Sequence, residues 1–266
     1  MSIMDKNQVD LVMVTYNSRL VLPAFFKSLR KQTKTPFQLL VIDNNSTDGT
    51  KAYLQSLVNK PFFRDKMRLV FNQTNTGLAK AWNQAVKLTS GRFLLFLNPD
   101  LVLTKDWLGK LTNSATRRQK AMVVGAKILN PDGTIYHAGA TGKIRGRGKK
   151  NRPGLFDQEA KVRWVQGSCF LVKREIFRKI GGFDEQFFVY GEEVDFCRRV
   201  RQAGYDVLYT PVPIYHYRKG SAIPKAKRLQ LRRRSARLLK EKWEKKSPPA
   251  GIVFMAHPLY PGKKIE

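Results

Sequence analysis

Four times in its first hundred residues the chain repeats one arrangement. A short apolar run stops abruptly at polar residues, and an amphipathic stretch follows. "VDLVMVT" stops at Tyr16-Asn17-Ser18, "FQLLVID" at Asn44-Asn45, "RLVF" at Asn72 and "FLLFL" at Asn98-Pro99-Asp100. Runs this short and dense read as buried strands, and the stretches between them carry helical spacing. A helix over residues 20–32 puts Leu22, Phe25, Phe26 and Leu29 on one side. A second is expected over residues 51–57 with Ser46 or Thr47 as its cap, and a third over residues 77–88. Strand–helix units in series leave few solutions: an α/β fold with a mostly parallel central sheet and helices on both faces.

The polar strand ends carry the functional argument. In sheets of this kind, ligands bind in the crevice outside the carboxyl ends of the strands. Thr15-Tyr16-Asn17, Asp43-Asn44, residues 72–75 and Asn98-Pro99-Asp100 all fall there. Pro99 donates no ladder hydrogen bond, so the fourth strand ends before it. Asp100 would be costly among leucines without a partner, which places it in a cleft rather than in the core.

The second half is less regular. "AMVVGAKIL" reads as a strand, "PDG" as a turn, residues 139–157 as loop, and "VRWVQGSCFLVKR" as a strand with a glycine break. An acidic island, "FDEQFFVYGEEVDFCRRVRQAG", includes a helix over residues 192–203 whose first turn carries carboxylates, as the helix dipole prefers. We expect one domain over residues 1–221, in two halves that meet at about residues 105–106, then a basic helical extension over 222–266.

Charge is the anomaly. Fifty Lys and Arg face 20 Asp and Glu, a net +30, so nucleic acid, anionic membrane and phosphorylated substrates are all candidate partners. Thirteen basic residues against two acidic ones fall in residues 218–246. A glycine-rich basic patch, residues 142–152, reads as a mobile loop. The tail reads as a helix over residues 225–243 with Leu229, Ala236, Leu239 and Trp243 in one arc, suited to docking on the domain or to an anionic membrane surface. No apolar run reaches a membrane span, no signal-peptide pattern opens the chain, and Cys169 and Cys197 have no metal-ligand spacing. A reduced, cytoplasmic setting is the simplest expectation, with peripheral contact to the inner face of the cell membrane. A nucleic-acid-binding protein would account for the charge but not for the polar strand ends or the acidic island, and nucleic acid is the weaker candidate.

"VMVTYN", "VIDNNSTDGT", "NTGLAKAWNQA", "FLNPD", "GGFDEQFFVYGEEVDFCRR" and "YHYRKGSA" follow one another in this order. Together they resemble the bacterial family-2 inverting glycosyltransferases, particularly the rhamnosyltransferase-like subgroup. The resemblance covers about residues 9 to 221 and implies a GT-A fold with the nucleotide site at the C-terminal strand ends. It implies a nucleotide-sugar donor, dTDP-rhamnose or a UDP-sugar, and a saccharide or polyprenyl-diphosphate-linked acceptor in cell-envelope polysaccharide synthesis. A divalent cation, magnesium or manganese, would sit on Asp100, with His216 as a further ligand. Asn98, where the family carries a carboxylate, would bond ribose or phosphate.

Asp43 would read the nucleotide base, flanked by Thr15, Tyr16 and Asn17, with Asn17 also a candidate helix cap. Asn75, Gly77, Lys80 and Asn83 lie near the same cleft, Lys80 alternatively on a solvated face. The family's catalytic base matches Glu193, one methylene longer than the aspartate usual there. Asp195 and Glu192 are further candidates, for catalysis, for acceptor binding or for pairing with Arg198-Arg199. Trp164, Gln166 and Tyr190 would line the acceptor site, with core packing an equal account of Trp164. Arg218 and Ser221 would bind phosphate. With Asn98 and Glu193 departing from the family pattern, a non-catalytic nucleotide-sugar binder is the remaining alternative.

Overall fold

The computed structural model describes residues 9–217 and 223–244. Arg218 and Ser221 lie outside the described residues.

The four apolar runs are strands. In chain order the N-terminal half holds β1 (Val9–Thr15), α1 (Leu22–Gln32), β2 (Gln38–Asp43), α2 (Thr50–Val58), β3 (Met67–Phe71), α3 (Leu78–Leu88) and β4 (Phe93–Leu97). After it come β5 (Leu101–Val102), α4 (Trp107–Arg117), β6 (Ala121–Leu129), β7 (Ile135–His137), β8 (Ala160–Lys161), β9 (Cys169–Lys173), α5 (Glu175–Ile180), α6 (Glu192–Gln202), β10 (Asp206–His216) and α7 (Lys225–Glu244).

The sheet runs in the order β3-β2-β1-β4-β9-β6-β10-β5. Its first four strands are parallel, as their local pattern requires. The second half is mixed, because β9 enters antiparallel between β4 and β6, while β6 and β10 pair in parallel. Both faces are covered. Leu11 and Met13 of β1 join one core with α1, α2 and α4, whereas Val12 and Val14 join the other with α3, α5 and α6. That alternation is the two-residue period of a strand buried on both sides.

An aromatic cluster locks the second core. Trp82 of α3 packs on Phe183 at 4.9 Å between ring centroids, and Phe183 on Phe196 of α6 at 4.6 Å. Phe96 of β4 stacks on Phe170 of β9 at 5.1 Å. These rings tie α6 to the parallel half, and so position the acidic island.

Three local expectations are corrected. Neither Ser46 nor Thr47 caps α2: the Ser46 hydroxyl donates to Asp43, and Asp48 instead accepts the Thr50 backbone N–H at 3.1 Å. The basic segment 142–152 is pinned rather than loose, since Ile135 N–H donates to Lys149 O at 2.7 Å and Gly148 N–H to Ile135 O at 2.8 Å. The tail helix does dock, with Leu239 and Trp243 of the expected arc facing the domain but not its other two members. Leu229 and Ala236 are exposed, and the inward row runs through Leu231, Ser235, Leu239 and Lys242. Polar bonds chose that face: the Ser235 hydroxyl donates to Val189 O at 3.0 Å, and Lys242 Nζ to Asp184 at 2.6 Å.

Candidate active site

A cleft of about 450 Å³ opens at the C-terminal ends of β1 and β4, where the strand order reverses. Thr15 and Tyr16 at the end of β1, Asn75 and Gly77 before α3, and Asn98, Pro99 and Asp100 after β4 line it. So do Trp164, Gln166 and Ser168, with Tyr190, Glu192 and Glu193 at the start of α6. His216 closes the floor at the end of β10.

Backbone requirements fix this geometry. Gly77 has φ +83° and ψ 173°, a region open essentially to glycine alone, and a Cβ there would lie 2.7 Å from Phe188 O. That close approach lets Leu78 N–H donate to Phe188 O at 2.6 Å, joining the start of α3 to the loop that carries the acidic island. Tyr190 and Gly191 both hold positive φ, +72° and +94°, and turn the chain so that α6 opens on the cleft.

Asp100 and His216 meet from different elements. His216 Nε2 lies 3.1 Å from Asp100 Oδ1, and His216 Nδ1 is buried with no hydrogen-bond partner among the described residues. One carboxylate, one imidazole and the Asn98 amide are a sparse set, and no group of three or more His, Cys, Asp or Glu that could hold a metal occurs among the described residues. The set nevertheless suits magnesium or manganese, which take one or two protein ligands and complete their shell with water and substrate phosphate.

Glu192 and Glu193 are the other charged feature. Burial pushes the Glu192 carboxyl well above the usual range, and the adjacent Glu193 charge adds to that. Burial also raises Glu193, against backbone N–H bonds that pull the other way, among them that of Gly191, 3.2 Å from Oε2. Glu192 Oε2 is buried without a partner among the described residues, as suits a carboxyl that keeps its proton. Burial thus raises both carboxyls of the pair, Glu192 the more.

Five expected site residues are not brought to the cleft. Asp43 is fully buried, and its two oxygens accept from the Thr15 hydroxyl at 3.0 Å, Ser46 N–H at 2.9 Å and the Ser46 hydroxyl. It ties the ends of β1 and β2 together, and its neighbour Asn44 lines the cleft. Asn17 accepts Thr47 N–H at 2.7 Å and bridges two loops rather than capping α1, whose cap position is Val21. Asn83 is consumed by the acidic island: its amide donates to Phe183 O at 2.8 Å and Glu185 at 2.9 Å, and accepts Phe183 N–H at 2.8 Å. Lys80 is exposed on the outer side of α3. Asp195 is completely buried between Arg199 Nε at 2.9 Å, Lys242 Nζ at 2.8 Å and Trp243 Nε1 at 3.0 Å. These three donors hold it away from the cleft; of the pairings considered for it, that with Arg199 is the one realised.

Among the further residues that line the cleft are His137, Arg228 and Arg232. His137 stands beside Trp164, ring centroids 4.6 Å apart, and burial lowers its pKa to about 3, so it is neutral at any working pH. Its pairing with Gly139 N–H leaves no sequence signal. Arg228 and Arg232 of α7 reach the cleft as well. Their i,i+4 spacing was visible, but the face they share was not.

The family model described as Glycosyl transferase family 2 matches residues 10–181, and one described as N-terminal domain of galactosyltransferase matches residues 156–220. The chain is 30% identical over 234 residues to the N-acetylglucosaminyl-diphospho-decaprenol L-rhamnosyltransferase of Mycobacterium tuberculosis, covering 79% of this chain and 76% of that one. It is 34% identical over 219 residues to the O-antigen biosynthesis protein RfbC of Myxococcus xanthus, covering 75% of this chain but 17% of that protein. Among solved structures, GalNAc-T7 with UDP, GalNAc and Mn2+ superposes with a TM-score of 0.67 at 17% identity, over 89% of this chain and 48% of that one. Likeness at that identity speaks for the fold, which is of the GT-A type.

Proposed function

The chain belongs to glycosyl transferase family 2, and from that premise we propose an inverting, cation-assisted sugar transfer at the cleft. It is a glycosyltransferase of the rhamnosyltransferase-like branch, working in cell-envelope polysaccharide synthesis. The donor is a nucleotide-diphosphate sugar, dTDP-rhamnose or a UDP-sugar, and the acceptor a saccharide or a polyprenyl-diphosphate-linked sugar. The observation that carries this reading is that Glu193 and the Asp100–His216 pair line the same cleft.

Glu193 takes the proton of the acceptor hydroxyl as its oxygen attacks the anomeric carbon. The bond from that carbon to the diphosphate breaks on the opposite side, and the configuration inverts. A divalent cation held by Asp100 and His216 would neutralise the departing diphosphate. Thr15, Tyr16, Asn75, Gly77 and Asn98 hold the nucleotide. Glu192 keeps its proton and donates a hydrogen bond to the acceptor sugar, while Trp164, Gln166 and Tyr190 shape its site. Arg218 and Ser221 remain candidates for the phosphates.

Thermal unfolding with dTDP, UDP, GDP and ADP, each with and without magnesium or manganese, tests this reading. Ligand at roughly 100 times its dissociation constant adds about 2.7 kcal/mol, a shift of roughly 5–10 °C for a domain of this size. A metal-dependent rise with one pyrimidine diphosphate is expected. No rise with any of the four would overturn the reading.

No helix among the described residues is long and apolar enough to cross a membrane. Arg233, Arg234, Arg237 and Lys240 are exposed on the outer side of α7, a row that suits anionic lipid headgroups. Co-sedimentation with phosphatidylglycerol vesicles should exceed that with neutral phosphatidylcholine vesicles and fall with added salt. Equal partition to both would remove the membrane from the list of partners.

A further inference from the structure

We infer that Arg228 and Arg232 of α7 form a diphosphate subsite on the roof of the cleft. This rests on the transferase reading of the cleft but assigns a role to a helix outside the residues that carried it.

Both arginines line the cleft, together with Asp100, Tyr190, Glu193 and His216. They stand four residues apart on one helix face, a rise of about 6 Å, which suits two neighbouring phosphate groups. Neither guanidinium has a carboxylate partner among the described residues, although their helix makes four other ion pairs. Arg232 lies over the Tyr190 ring, 4.9 Å from its centroid, which fixes the plane of the guanidinium and leaves its edge for a ligand. Planar guanidinium groups bind phosphate through paired N–H bonds, which an ammonium cannot reproduce.

The helix is held firmly enough to make this a built site. Ser235 donates to Val189 O at 3.0 Å, and Lys242 and Trp243 both reach the buried Asp195, at 2.8 and 3.0 Å. Leu239 packs against Gly191, where an added Cβ would lie 3.2 Å from its Cδ1. All four anchors lie C-terminal to Arg232, so replacing the two arginines leaves the docking intact.

Two ligands of the reaction carry a diphosphate: the nucleotide donor and a polyprenyl-diphosphate-linked acceptor. The test measures binding of dTDP, UDP and farnesyl diphosphate to the native chain, to R228A/R232A and to R228K/R232K. Nucleoside monophosphates serve as the control, and unchanged thermal midpoints without ligand check the fold. Charge-assisted bonds of this kind are each worth roughly 10- to 100-fold in affinity. The alanine pair should weaken one diphosphate by at least that factor while leaving dTMP and UMP unchanged, and the lysine pair should recover only part of the loss. Weakened nucleoside diphosphate assigns the subsite to the donor; weakened farnesyl diphosphate assigns it to the lipid. Native affinity of R228A/R232A for all three overturns the subsite without touching the transferase reading. Failure of the native chain to bind any of them removes both.

Discussion

Glu193→Gln is expected to abolish sugar transfer while leaving donor-nucleotide binding intact. Glutamine keeps the shape and the bond from Gly191 N–H, but cannot take a proton. Loss of a general base costs about 10²- to 10⁴-fold in turnover. The pH profile gives a second readout. Burial holds the Glu193 carboxyl above its ordinary range, so the rising limb of kcat/KM should fall above the usual carboxylate pKa. The neighbouring Glu192 is coupled to it, so the position of the limb reports on the pair.

Stability runs in the opposite direction. With the folded pKa above the unfolded one, the native state binds more protons between the two, and stability falls as pH rises through that window. Glu193→Gln removes this penalty. The variant should therefore unfold at a higher temperature than the native chain at mildly alkaline pH, with no advantage well below the carboxylate range. Native turnover in the variant would take Glu193 out of the role of base, whatever the stability shows.

Asp100→Asn is the second large effect. The amide still offers an oxygen to His216 Nε2, now 3.1 Å from Oδ1, so the floor of the cleft should fold normally. What is lost is the one carboxylate in the set that would hold a cation. We expect turnover to fall about 10²- to 10³-fold, the scale of removing one electrostatic stabiliser of a leaving group. We also expect the manganese-dependent part of the nucleotide-induced thermal shift to vanish, while the metal-independent part survives. A variant that keeps its manganese-dependent shift would place the cation elsewhere.

The comparison between Glu193 and Asp195 shows where sequence reading stops. Both sit in the first turn of α6, two residues and about 200° apart on the helix. The sequence shows that they face opposite ways, but not which of them faces the cleft. The aromatic cluster under Phe196 and the docking of α7 decide it: Asp195 meets Lys242 and Trp243, and Glu193 is left at the wall. Asn83 is the same case on α3. Its spacing from Lys80 is correct, yet Phe183 and Glu185, a hundred residues further along the chain, claim it.

The sequence by itself determined what depends on neighbours along the chain. Apolar runs of five to seven residues specified the four parallel strands, polar residues at their ends specified a cleft, and the carboxylates of the acidic island marked the start of α6. These are local: a strand's two-residue period and a helix's preference for acids in its first turn need no distant partner. Only the tertiary structure decided the rest. It inserted β9 antiparallel beside β4, turned Asp43 inward to Thr15 and Ser46, and laid α7 against the acidic island through Ser235 and Lys242 rather than through Leu229 and Ala236. The reason is common to all three. A polar side chain takes whichever buried partner packing brings within hydrogen-bond reach, and that partner is set by contacts far apart in sequence.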